Sequence, residues 1–250
     1  TLANIKKIVS GSNKFSLNKI YNLYKKIIKT EVIKVDSIKI AEGAKIIENA
    51  QRDINIAFMN ELKMIFDKLN IDFDKVLKAA STKWNFINFK PGLVGGHCIG
   101  IDPYYLHYLS SKNGLKTKII LSGREINDRM PKYYYLKFKR DYKKYLISSN
   151  KQNKKILFLG LTFKKNVSDF RNSKSIEFLK YLKKDFEIDI CDPVIDNIKL
   201  SYEYNFKLKK LNNLNLNHYS SIIFAVKHDE FKKIEKLLLN RKIFRFDIEK

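Results

Sequence analysis

The sequence predicts an α/β protein in which a helical centre is followed by a smaller region built on a parallel sheet. Two observations carry this expectation. Apolar residues recur at helical spacing from Ile40 to Leu69 without a break. Beyond residue 154, short apolar runs alternate with amphipathic stretches, the pattern of strand–helix units whose strands lie parallel.

In chain order, residues 5–9 (IKKIV) read as a strand, residues 11–13 as a turn, and a short amphipathic helix starts near Ser16. Asp36 and Ser37 offer capping oxygens for a very long helix. Ile40, Ala44, Ile47, Ile54, Phe58, Leu62, Ile65 and Leu69 form its stripe, and Ala50, Ala57 and Met64 widen it. Burial on more than one face is therefore expected, as in a domain connector or a dimer core. A second helix over 73–80 leads into a loop holding Trp84, and Pro103 marks the next helix start, with helical stretches to about Tyr145. The polar run SSNKQNK (148–154) reads as a linker. After it come a buried strand at 156–161, a helix at 173–183, and a strand in which Phe186, Ile188 and Ile190 alternate. Strands at 222–226 and 243–248 follow, with a helix at 230–239 between them. Three parts are expected: 1–30, 31–148 and 149–250.

The 250 residues, 44% of them hydrophobic, suffice for one large or two modest cores. No apolar run approaches the roughly 18 residues needed to cross a bilayer. The opening TLANIKKIVSGSN lacks an initiating Met and reads as the middle of a longer protein. Two cysteines do not make a disulfide framework, so a reducing, cytoplasmic compartment is expected. The net charge of +24 comes mostly from lysines spread evenly among Asn and Ile, with Arg scarce. Such a spread matches the translation of an AT-rich genome better than a nucleic-acid-reading surface, although it also favours anionic, nucleotide-bearing ligands.

The chemistry concentrates in residues 89–105, FKPGLVGGHCIGIDPYY, where four of the nine glycines (Gly92, Gly95, Gly96 and Gly100) surround Cys98. Glycine serves where backbone takes positive φ or lets another molecule come close. A thiol set in such a loop reads as a presented nucleophile, with His97 and basic surroundings favouring its anion; a small buried hydrophobe is the competing reading. Asp102, just before Pro103, reads as a helix N-cap with Pro at the first helical position, or as a carboxylate orienting water near the thiol. Lys45 and Asn49 share one face of the long helix. Solvated, they carry no chemistry; buried together, they would suit a developing oxyanion. No metal site is expected, since Cys191 and the histidines lack ligand spacing. The later run ILFLGLTFKK (156–165) has a single glycine, Gly160, instead of the G-x-G-x-x-G of a dinucleotide site, so Lys164 and its neighbours fit a nucleotide contact only.

Four separated motifs in order now define a resemblance. The run GLVGGHCIGIDPYYL, preceded by TKWNF and followed by IILSGREIND (119–128), resembles the UDP-sugar 6-dehydrogenases. EGAKIIENAQRDINIAFMNEL (42–62) and GLTFKKNVSDFRNSKS (160–175) are similar to the same family. His97 in GGHC points to the branch acting on UDP-N-acetylglucosamine or UDP-N-acetylgalactosamine, in surface polysaccharide synthesis. The resemblance implies an all-helical central dimerisation domain followed by a Rossmann-like parallel α/β UDP-binding domain, after a remnant of an N-terminal NAD domain. It implies NAD-dependent oxidation of a sugar C6 alcohol to a carboxylate, with Cys98 as nucleophile forming a thiohemiacetal and then a thioester. Lys45 and Asn49 would steady the oxyanion and touch the substrate, and Asp102 would orient water. Phe89, Lys90, Pro91, Gly92, Leu93, Val94 and Gly95 would cover the UDP-sugar, joined by Phe163 and Lys164. Cys98, Ile99, Gly100, Ile101 and Arg171 would lie at the NAD. Lys90 stands where the nearest relatives are expected to carry Arg, and the NAD fingerprint and a catalytic Glu are absent from these residues. The resemblance thus implies a homodimeric partial enzyme, inactive alone. A non-catalytic dimerisation module, or a basic nucleic-acid binder, is the alternative.

Overall fold

A computed structural model describes residues 2–149 and 155–248. The chain forms two compact units, Thr1–Arg52 and Asp53–Lys250.

In the first unit, β1 (Lys7–Val9) pairs in parallel with β2 (Val32–Lys34), with Ile8 opposite Ile33. The helix α1 (Lys14–Ile27) crosses between them, and its free N-terminal amides are met by Asn13, whose Oδ1 accepts from the Ser16 amide at 2.8 Å. Strand β1 is shorter than expected, and β2 has no counterpart in the sequence reading. The long helix α2 (Ile38–Lys68) begins in this unit, with Ser37 Oγ accepting from Ile40 N at 3.3 Å.

The helical part of the second unit contains the end of α2, α3 (Phe73–Ala80, capped by Asp72), α4 (Asp102–Lys112) and α5 (Ile119–Ser149). Two expectations are corrected here. The stripe on α2 is only partly covered: Ile40, Ile47, Phe58, Ile65 and Leu69 are exposed, Ala44, Ile54, Leu62 and Met64 are half-buried, and Ala50 and Ala57 are buried together with Asn49, Asp53, Met59, Asn60 and Lys63. The helix turns a small and polar face inward because its neighbours satisfy it by hydrogen bonds. Of the linker expected at 148–154, Ser148 and Ser149 belong instead to α5, and residues 150–154 lie outside the described residues.

The sheet comprises β3 (Ile156–Leu159), β4 (Ile188–Cys191), β5 (Ser221–Phe224) and β6 (Phe244–Asp247), all parallel in the order β4-β3-β5-β6. Strand side chains alternate, so Ile156, Phe158, Ile223 and Phe246 join Tyr134, Phe138 and Tyr142 of α5 and Phe178 of α6 (Lys174–Leu182) in one core. Leu157, Leu159, Ile222 and Phe224 face the other way, onto Phe231 and onto Ile234 and Leu238 of α8 (Lys232–Leu238). The helix α7 (Asn197–Tyr204), absent from the sequence reading, follows β4. Because β3 has β4 on one side and β5 on the other, the carboxyl ends of β3 and β5 flank a topological switch point, where open parallel sheets hold ligands.

Candidate functional site

The glycine-rich segment has no regular structure, and buried side chains hold it in place. Gly92 N donates to Asn60 Oδ1 at 2.8 Å, and Asn60 Nδ2 donates to Gly92 O at 3.0 Å. The same Asn60 amide reaches Asn127 Oδ1 at 2.8 Å, and Asn127 Nδ2 donates to Asp53 Oδ1 at 2.8 Å. Arg124 closes the series, with Nη1 on Asp53 Oδ1 and Nη2 on Asp128 Oδ1, each at 2.6 Å. Asp128 in turn accepts from Tyr104 OH and Lys174 Nζ, each at 2.9 Å. Burial pushes the Asp53 carboxyl above its ordinary value, while the Arg124 guanidinium draws it back. None of Asp53, Asn60 or Arg124 was singled out from sequence, though the motifs at 42–62 and 119–128 carried all three.

Glycine is required at Gly95 and Gly96 for packing. A Cβ on Gly95 would stand 2.4 Å from Asn172 O, and Gly96, at φ +87°, would place one 2.7 Å from the Phe163 ring. Gly96 N donates to Asn172 O at 3.2 Å. These two glycines therefore seat the loop on Phe163 and Asn172, and Gly96 takes the positive φ that the sequence reading allowed for.

Cys98 is exposed, so the presented-thiol reading holds over the buried one, whereas Cys191 is buried. The Cys98 carbonyl accepts from Asp102 N at 2.8 Å, which opens α4. Asp102 is the first helical residue, Pro103 the second, and Ile101 the cap without a side-chain bond, so the expected cap is displaced by one residue. His97 turns to a carboxylate, with Nε2 at 2.9 Å from Asp169 Oδ2. Asp169 also accepts from Arg171, through Nε at 3.0 Å and Nη2 at 2.8 Å. These bonds, led by Arg171's, hold its carboxyl well below the usual carboxylate range.

A cavity of about 330 Å³ opens at the switch point, within the range of small-molecule sites. The loop contributes Lys90, Pro91, Gly92, Leu93 and Gly95, and the turn after β3 contributes Phe163 and Lys164. The structure thus brings together seven residues expected at one ligand. Ser173, Lys174 and Ser175 at the start of α6, Ala225 and Val226 after β5, and Ile56 and Ile248 complete the walls; none of them was singled out from sequence, although 173–175 lie within the motif 160–175. Lys90 and Lys164 are exposed, and the positive end of α6 lies at the same cavity, so the site suits an anion carried on an apolar body. Phe89 and Val94 are not on its walls. Phe89 lines a separate cavity of about 400 Å³ against α3, and Val94 lines one of about 360 Å³ with Gly96, Gly100 and Arg124.

Lys45 and Asn49 belong to the first unit. Lys45 is exposed and pairs with Glu48 at 2.9 Å, while Asn49 is buried, so they are not the buried pair weighed above. Among the described residues no group of three His, Cys, Asp or Glu could hold a metal, and no helix is long and apolar enough to cross a membrane. Arg171, expected at the NAD, is 65% exposed but held by Asp169, and it lines a broad cavity that contains Lys199 and also the carboxylates of Asp169 and Glu203.

Comparison with known proteins agrees with this geometry. Residues 39–129 match the UDP-glucose/GDP-mannose dehydrogenase family, central domain, and residues 157–249 match its UDP binding domain. The chain is 46% identical over 234 residues to the UDP-N-acetyl-D-glucosamine 6-dehydrogenase of Salmonella typhi, covering 93% of this chain and 54% of that protein. Against the Pseudomonas aeruginosa enzyme of the same name identity is 42%, with 93% and 54% covered. The solved UDP-N-acetyl-mannosamine dehydrogenase Cap5O from Staphylococcus aureus superposes with a TM-score of 0.73 at 25% identity, covering 99% of this chain and 60% of that one. The chain spans about half the length of the curated relatives it matches. With both domain families matched in order over most of its length, the chain belongs to the UDP-glucose/GDP-mannose dehydrogenase family, as a central helical domain followed by a UDP-binding parallel sheet domain.

Proposed function

We propose that this chain is the helical and nucleotide-binding part of an NAD-dependent dehydrogenase that oxidises the C6 alcohol of a UDP-N-acetylhexosamine to the uronic acid, for surface polysaccharide. One observation carries the reading: a single loop offers five residues to a basic cavity at the sheet's switch point and, a few residues later, an exposed thiol. The uridine nucleotide lies in that cavity, with Lys90, Lys164 and the start of α6 meeting its phosphates. Its sugar then extends toward Cys98.

Residues 98–101 and Arg171 would hold NAD, which supplies a hydride acceptor for each of the two oxidations. Once the alcohol is an aldehyde, Cys98 Sγ adds to its carbonyl carbon and gives a thiohemiacetal. Loss of the second hydride leaves a thioester, and water then adds and expels the thiol, giving the carboxylate. Asp102 orients that water. The parts are proposed as 1–30, 31–148 and 149–250, in a cytoplasmic homodimer formed on the exposed stripe of α2.

The test is NADH formation from UDP-N-acetylglucosamine by the protein containing this chain and an NAD-binding domain. Cys98→Ala abolishes uronate formation, and Cys98→Ser stalls at the second oxidation. Unchanged uronate from Cys98→Ala removes the thiol from the chemistry. Turnover by residues 1–250 unaided would show that this chain needs no added NAD domain.

A further inference from the structure

The two residues that reach the cavity from the sheet, Phe163 and Lys164, sit between Thr162 and Asn166, and one imidazole holds both of these flanking positions. His228 follows β5 and is 2% exposed. Its Nδ1 accepts the backbone N–H of Asn166 at 2.9 Å, and its Nε2 lies 3.2 Å from Thr162 Oγ1. The same Nε2 is 3.2 Å from Asp192 Oδ2, at the end of β4. A backbone amide can only donate, so Nδ1 carries a lone pair and the imidazole is neutral, with its proton on Nε2 shared toward Asp192. Asp192 is fixed in turn, since its Oδ2 accepts from Leu161 N at 2.7 Å and its Oδ1 from Val194 N at 3.0 Å. One buried pair thus ties together the turns that leave β3, β4 and β5.

The turn is tied at Asn166 itself. Asn166 adopts φ +58°, a left-handed conformation that Asn takes more readily than other residues with a side chain. Its side chain is held as well, with Oδ1 accepting from Asp229 N at 3.0 Å and Nδ2 donating to Asp229 Oδ2. Thr162 Oγ1 donates to Lys164 O at 2.9 Å, which carries the constraint to the lysine itself. Lys164 is exposed, and a side chain that reaches a phosphate from a fixed backbone does so at lower entropic cost.

We propose that His228 is a positioning residue for the nucleotide: by accepting the Asn166 amide at Nδ1 it holds the turn that presents Phe163 and Lys164 to the cavity. The inference rests on the nucleotide reading of that cavity.

Two amide side chains separate this role from packing. Asn at position 228 places an acceptor oxygen where Nδ1 stands. Gln places its amide near Nε2 and leaves the Asn166 N–H unmet. Both remove an imidazole from the core. UDP is titrated into the chain by calorimetry, and amide exchange at Asn166 is followed in the same samples. His228→Asn retains UDP affinity within about threefold and keeps Asn166 protected, whereas His228→Gln weakens UDP about tenfold or more and exposes that amide to exchange. Should neither variant fold, Thr162→Val, close in shape and lacking only the hydroxyl's links, also weakens UDP. Equal loss in the Asn and Gln variants, or unchanged affinity in Thr162→Val, overturns the inference alone. No UDP binding by the wild-type chain overturns the nucleotide reading and this inference with it.

Discussion

Asn60 and Gly92 exchange two hydrogen bonds, side chain against main chain, at 2.8 and 3.0 Å, much as neighbouring strands would. The Asn60 carboxamide is wholly buried and also donates to Asn127, so it links a glycine on the cavity wall to the polar interior between α2 and α5. Truncation to Asn60→Ala strands the Gly92 amide and the Asn127 oxygen. Each buried polar group left without a partner costs about 1–3 kcal/mol, so a loss of roughly 3 kcal/mol is expected. Urea denaturation monitored by circular dichroism checks this as a lower midpoint at constant slope, with UDP affinity falling in parallel.

Gly96 and Gly92 respond differently to a methyl group. At Gly96, φ +87° alone disfavours an L-residue by about 1–2 kcal/mol, and the Cβ would displace the Phe163 ring that lines the cavity. Gly96→Ala is therefore destabilised and binds UDP more weakly. Nothing lies within 4 Å of a Cβ built on Gly92. Gly92→Ala stays within about 0.5 kcal/mol of the parent protein in the same denaturation experiment.

The two thiols are separated by burial. Cys98 is exposed, while burial, with some help from the Asp192 charge, pushes the Cys191 thiol up to about 12. Near neutral pH only a thiolate reacts at a useful rate. Iodoacetamide added to the folded chain should give one adduct, at Cys98 by peptide mass spectrometry, and a second at Cys191 only in denaturant. Labelling of Cys191 under native conditions would contradict the buried placement of β4's last residue.

Local signals were enough for the sheet and for α3. β3 and β5 carry apolar runs, β4 alternates, and Asp72 caps a helix that ends at Ala80 as its periodicity predicts. Periodicity also identified α2 but not which face it buries. A stripe such as Ile47, Phe58 and Ile65 says that something will cover it, and the covering partner is not encoded in the helix. Lys45 is exposed for a local reason, the carboxylate of Glu48 three residues on. Ser173 and Lys174 lay within a quoted motif without being singled out, and Asp192 and His228 were invisible because the turns they join come from distant parts of the sequence, which no local pattern records. Cys98 was legible because a reactive side chain among glycines is rare, although the glycines proved to serve packing against Phe163 and Asn172.

The exposed stripe on α2 should be covered by a second copy of this chain. Phe58, Ile65 and Leu69 lie at helical spacing and are about half exposed, at 52%, 46% and 59%. Isolated apolar residues on a surface are ordinary, but a row along one face of a long helix is an association site. Phe58→Asp combined with Ile65→Asp would place charge across that row and leave the inward Ala57 and Asn60 untouched. Light scattering coupled to size exclusion should show a dimer for the parent chain and a monomer for the double variant. Equal masses would exclude this face as the interface.

Acid should loosen the turn beneath the cavity through Asp229. Its carboxyl lies well below the ordinary 3.8, drawn down first by Lys232, then by Lys165 and by the Asn166 amide. A folded-state pKa below the unfolded one means that the native carboxylate releases its proton more readily. Its contribution is complete above 3.8 and is lost as pH falls below that value. Protonation would remove the charge that Lys165 and Lys232 share and weaken the acceptor for Asn166 Nδ2, two residues from Lys164 on the cavity wall. Asp229→Asn abolishes that titration, so its stability changes less steeply with pH below 3.8 than the parent's does, while near neutrality it is the less stable of the two. Thermal unfolding across the acid range decides it: parallel curves for the two proteins would show that Asp229 makes no native-state contribution.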